Sequence, residues 1–169
     1  PAEDTADNEE VGDSILIQDD KLILVEAKSR QFNEAFKNSG DWINDGQFIK
    51  ELIEKSTEQI DKAVKKIRSG EVAKFPVDPA QIKKVYPVVV IYEAFPVGFK
   101  MQRLIRQKVK ELGHLTDPIF APLEIIYVGD LEYIMNGYDT FTFAELLEQK
   151  HSGDPHASET SFHNFSTFY

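Results

Sequence analysis

Two apolar segments, residues 11–18 and 21–28, stand on either side of Asp19-Asp20 and read as the arms of one β-hairpin. If the two aspartates form the turn, Gln18 pairs with Lys21, and facing positions always sum to 39. A four-residue loop that pairs Ile17 with Leu22 gives the same register. Asp13 then faces Glu26, and alternation along the strand puts Lys28 on the Glu26 face, one step further on. Opposed carboxylates on paired strands repel one another, so this register calls for positive charge between them. A divalent cation is the natural candidate, with Lys28 beside it.

The residues around this pair carry a resemblance. Asp13 lies in Gly12-Asp13-Ser14-Ile15, and Glu26 and Lys28 lie in Leu24-Val25-Glu26-Ala27-Lys28-Ser29. A helix and the apolar run from Tyr86 to Tyr92 follow. This order resembles the PD-(D/E)XK nuclease superfamily, which has the restriction-endonuclease-like fold. The resemblance implies an α/β protein with a three-layer α/β/α core around a central mixed sheet. It implies metal-dependent hydrolysis of phosphodiester bonds in nucleic acid, with DNA the favoured substrate. Asp13 and Glu26 would hold Mg²⁺ or Mn²⁺ with the backbone carbonyl of Ala27, and Lys28 would assist the attacking water. Some members also carry a glutamine on the next helix near the metal, a position Gln59 would fill. Ala63 stands where the fuller glutamine motif has a tyrosine, and the residues alone read Gln59 as an ordinary helix-flank side chain. The family core opens with a helix and a strand ahead of the Asp strand. Only residues 1–10 precede it here, so the expectation is a piece of a longer protein whose other domains or subunits complete it. The alternative reading is a nuclease-like module that binds or assembles without cutting. An unrelated enzyme with a chance Glu-x-Lys is the third.

Charge bears on these readings. The net charge is −10 over 169 residues, which opposes polyanion binding. Eight of the acids fall in the first twenty residues, where there is no basic residue, so the remainder is only about two charges negative. Two basic sets stand out: Lys62, Lys65, Lys66 and Arg68, then Lys100, Arg103, Arg106, Lys108 and Lys110. A solvated amphipathic helix needs such a face in any case. For backbone contacts to nucleic acid, Lys62, Lys66, Arg103, Arg106 and Lys110 are the candidates. The absence of cysteine excludes disulfides and thiolate zinc sites. No histidine pair has metal-ligand spacing, since His114 stands alone and His151 and His156 fall in a tail-like stretch. No apolar run is long enough to span a bilayer and no secretory signal opens the chain, so the expectation is a cytoplasmic protein without a membrane partner.

The rest of the chain alternates helix and strand. Phe48, Leu52, Ile53, Ile60, Val64 and Ile67 predict a helix over 47–69 that ends at Gly70. Residues 38–46 read as a polar loop and 70–84 as a connector. The run 85–92 predicts a strand buried on both faces, 99–112 a helix, and 123–128 a second buried strand. Short helices are expected over 130–135 and 142–149. Together these predict helices on both faces of a mixed sheet. Residues 1–150 read as one domain. Residues 151–169 read as a tail with Phe162, Phe165, Phe168 and Tyr169, either a docking segment, or a short helix packed on the domain or a disordered end.

Overall fold

The computed structural model describes residues 12–29, 49–92, 99–136 and 141–152. Strands β1 (Ser14–Gln18) and β2 (Lys21–Lys28) form the expected antiparallel hairpin, with Ser14 opposite Val25 and Gln18 opposite Lys21. Asp19 turns the chain at φ 55°, a left-handed conformation that a short polar side chain tolerates. On its other side β2 pairs in parallel with β3 (Lys84–Ile91), and β3 pairs in parallel with β4 (Glu124–Tyr127). The described residues thus form an open mixed sheet in the order β1-β2-β3-β4, an α/β arrangement with helices between the strands.

Those helices are α1 (Lys55–Ser69), α2 (Phe99–Leu112), α3 (Val128–Asn136) and α4 (Phe143–Ser152). The predicted helix over 47–69 is broken in kind. Residues Ile49–Glu54 form a π-helical turn, and regular α-helix begins at Lys55. At the junction the Thr57 hydroxyl donates to the carbonyls of Ile53 (2.7 Å) and Glu54 (3.2 Å), side-chain competition that hydrophobic spacing does not reveal. Gly70 ends α1 at φ 77°, and the next amide, Glu71 N–H, closes back on Lys66 O at 3.1 Å. α3 starts directly at Val128, two residues before the expected start. α4 runs to Ser152, past the expected boundary at 150. The polar loop at 38–46, His156 and the four tail aromatics lie outside the described residues.

Strand parity sorts the core. Ile23, Tyr86, Val88, Val90 and Ile126 pack with Ile134 of α3 and with Phe143, Leu146 and Leu147 of α4. The opposite parity, Leu22, Leu24 and Val85, packs with Ile60, Ala63, Val64 and Ile67 of α1. Val89, Ile91 and Ile125 meet Leu52 and Ile53 of the π turn and Ile105 and Val109 of α2. β3 is buried from Val85 to Ile91, as its uninterrupted apolar run requires. Each such side chain contributes about 1.5–3 kcal/mol of transfer free energy, so the centre of the sheet carries much of the stability.

Thr142 and Glu145 begin α4 with a reciprocal cap. Thr142 N–H donates to Glu145 Oε2 (2.7 Å), and Glu145 N–H donates to Thr142 Oγ1 (3.2 Å). Gln18 at the end of β1 accepts the Ala144 amide at 2.7 Å, which ties the hairpin to this helix. The Thr142 amide, then its hydroxyl, hold the Glu145 carboxyl below its ordinary value. That contribution to stability is complete above pH 4.5 and is lost as pH falls through the lower folded value.

Nothing in the sequence pattern marked Glu124, a carboxylate buried at 1 % exposure inside β4. Lys150 of α4, itself fully buried, donates to its Oε1 at 2.6 Å; His151 lies 3.1 Å and Arg106 3.8 Å from the same oxygen. Burial pushes the Lys150 ammonium below its ordinary pKa, and Glu124 opposes that shift. Glu124→Gln leaves buried positive charge without its counter-charge and is expected to cost about 3–5 kcal/mol. Urea denaturation checks this, and an unchanged midpoint would show that the cluster does not hold α4 to the sheet.

Candidate functional site

The parity that buries Leu22 and Leu24 under α1 continues to Glu26 and Lys28 at the end of β2. Their partners on β3 are Val89 and Ile91, both in the core on that face. Glu26 is therefore carried beneath α1, and it is only 3 % exposed. Its Oε2 accepts from Lys28 Nζ at 3.2 Å. The same ammonium donates to Gln59 Oε1 of α1 at 3.1 Å, so Lys28 bridges strand and helix. Gln59 thus belongs to the site geometrically, although it lacks the tyrosine of the fuller motif.

The β1–β2 ladder ends at Ser14 and Val25. Beyond it, Asp13 Oδ2 accepts the backbone N–H of Ala27 at 2.6 Å and so replaces the missing strand as hydrogen-bond partner. Asp13 and Glu26 then line one small cavity of about 160 Å³, together with Gly12, Gln59, Lys62 and Lys66. Two carboxylates from the hairpin face two lysines one helical turn apart on α1. Lys62 is also paired with Glu58 at 2.6 Å along the helix, a bond that holds the Glu58 carboxyl below its usual value. Gly12, which the sequence pattern gave no reason to single out, lies beside Glu26: a Cβ placed there would be in ordinary contact, 3.5 Å from Oε1. Its φ of 117° is a conformation that L residues rarely adopt.

The other basic candidates are elsewhere. Arg106 and Lys110 line a different pocket beside His114, and Arg103 is exposed on α2. His114 Nδ1 lies 2.8 Å from Thr57 Oγ1.

The Asp13 and Glu26 carboxylates supply oxygen donors of the kind a hard divalent cation such as Mg²⁺ or Mn²⁺ takes, and Lys62 and Lys66 line the same cavity. The Ala27 amide engages one oxygen of the Asp13 carboxylate, Oδ2, and so fixes its orientation. Lys28 meanwhile serves Glu26 as counter-charge. Among the described residues no three His, Cys, Asp or Glu side chains gather into a group suited to a metal, so the protein side chains offer a pair of carboxylates. Likewise, no described helix is long and apolar enough to cross a membrane. The chain matches no family model, no curated protein and no solved structure.

Gly12→Ala imposes a Cβ at positive φ beside Glu26 and is expected to destabilise by about 1–3 kcal/mol. A urea midpoint equal to that of the wild type would mean that Gly12 does not need its conformation.

Proposed function

We propose that the chain is the nuclease-like domain of a metal-dependent enzyme that hydrolyses phosphodiester bonds of nucleic acid, with DNA as substrate. On this reading the sheet and its helices form the three-layer α/β/α core of the restriction-endonuclease-like fold. The observation that carries it is the placement of Glu26: a carboxylate withdrawn from solvent, bonded to Lys28, and lining one cavity with Asp13. A fold that needed only an ion pair would gain little from removing that carboxylate from water, because desolvation offsets most of the attraction.

Asp13, Glu26 and the Ala27 carbonyl would hold Mg²⁺ or Mn²⁺, which when bound would supply Lewis acidity to the phosphodiester and acidify the attacking water. Lys28, steadied by Gln59 Oε1, places its ammonium where negative charge builds at the reacting phosphate. Lys62 and Lys66 attract the flanking phosphates across the cavity.

One observation favours the second reading, a module that binds or assembles without cutting. Asp13 is engaged by a backbone amide, and among the described residues no third acidic or histidine ligand stands by. The test compares wild type with Lys28→Ala on duplex DNA, single-stranded DNA and RNA, with Mg²⁺ or Mn²⁺ added or chelated. Metal-dependent cleavage is expected, with turnover about 10²–10³-fold lower in Lys28→Ala. Circular dichroism and nucleic-acid binding should be preserved. Equal binding with no cleavage by either protein favours the module, and neither binding nor cleavage under any metal condition removes both readings.

A further inference from the structure

A second pocket, of about 480 Å³, shares no lining residue with the Asp13–Glu26 cavity. Its wall includes Arg106, Val109 and Lys110 from one face of α2, His114 and Leu115 from the turn that follows, and Leu123 ahead of β4. We propose that this pocket binds a phosphomonoester carried on an apolar group. The phosphate lies against Arg106, Lys110 and His114, and the apolar group against Val109, Leu115 and Leu123.

Charge argues for the head group. Three lining side chains bear or can take positive charge, and no carboxylate lines the pocket among the described residues. Arg106 also reaches Glu124 at 3.8 Å, a carboxylate that Lys150 and His151 meet more closely and that is not among the pocket's lining residues. A phosphomonoester carries about −1.5 to −2 at neutral pH, a better match to this set than a single carboxylate. The guanidinium fork and the ammonium suit its several oxygens.

The imidazole is held for the task. The Thr57 hydroxyl gives its one hydrogen to main-chain carbonyls, so its oxygen accepts from His114 Nδ1–H. Nε2 is then the ring nitrogen left for a ligand, and it donates to a phosphate oxygen once protonated. The turn that carries His114 is itself fixed: Gly113 stands at φ 70° and Leu115 at φ 53°, left-handed conformations that close α2 and set Leu115. Two core clusters meet at Leu115, which gives the apolar wall a rigid backing. The volume falls within the usual range for small-molecule pockets, and a mostly apolar wall with a few convergent polar groups is their usual make-up.

A phosphomonoester has two natural sources, a free nucleotide and the phosphorylated end of a nucleic-acid strand. The experiment is an amide-detected NMR titration of the whole chain with phenyl phosphate, then with adenosine monophosphate, and with a short single-stranded DNA bearing a 5′-phosphate or a 5′-hydroxyl. Saturable shifts confined to residues 106, 109–116, 121 and 123 are expected for phenyl phosphate, with Kd below about 1 mM. Lys110→Glu should weaken binding roughly tenfold or more, whereas Lys65→Glu, the same charge change outside the pocket, should leave it intact. Preference for the mononucleotide identifies a free ligand, and preference for the 5′-phosphorylated strand over its hydroxyl counterpart identifies a strand end. Equal weakening by the two variants, binding of phenol as tight as that of phenyl phosphate, or no shift at these residues overturns the proposal.

Discussion

Strand β2 is hydrogen-bonded on both sides, antiparallel to β1 and parallel to β3, and this double pairing fixes which side chains face α1. A slip of one residue against either neighbour would exchange its faces. Leu22 and Leu24 would leave α1, and Glu26 and Lys28 would turn to the opposite face. The apolar residues of β2 thus do more than fill the core. Their burial enforces the parity that brings Glu26 under a helix bearing Gln59, Lys62 and Lys66. Core packing and site geometry are one constraint here, and a change that weakened the first would displace the second.

Two buried carboxylates illustrate what differs between holding a fold and preparing a site. Glu124 sits among Lys150, His151 and Arg106, with its nearest cation fully buried. Every partner comes from a helix that must be docked, so the cluster ties α2 and α4 to the edge of the sheet. Glu26 has a lysine partner as well, but Lys28 is partly exposed and divides its hydrogen bonds between Glu26 and Gln59. Glu26 also borders a cavity that a second carboxylate shares. An exchangeable counter-charge next to such a cavity is an arrangement in which a cation can take over from the lysine, and this is the physical core of the proposed function.

The hairpin and its register were legible because only one offset buries both apolar arms and turns the chain at Asp19-Asp20. The helix at 99–112 was legible from the spacing of Met101, Ile105, Val109 and Leu112, and the buried strand from its run of β-branched residues. The π turn at Ile49–Glu54 was not, because its periodicity differs little from that of an α-helix over six residues. Glu124 and Lys150 lie 26 positions apart, and neither shows in sequence that the other will be its partner. Gly12 was equally silent: its role depends on its φ of 117°, a backbone conformation that no local pattern encodes. Gln59 shows the opposite case, a residue that a helix flank explains adequately until Lys28 is found bonded to it.

The claim on which the rest turns is that Asp13 and Glu26 together hold a divalent cation. Mn²⁺ broadens amide resonances close to where it binds, so a titration followed residue by residue in the NMR spectrum locates it directly. Broadening centred on Asp13, Glu26 and Ala27 at low Mn²⁺, reversed by Mg²⁺ and lost in Glu26→Gln, is what the account predicts. Broadening that spares these three residues, or that persists unchanged in Glu26→Gln, would contradict it.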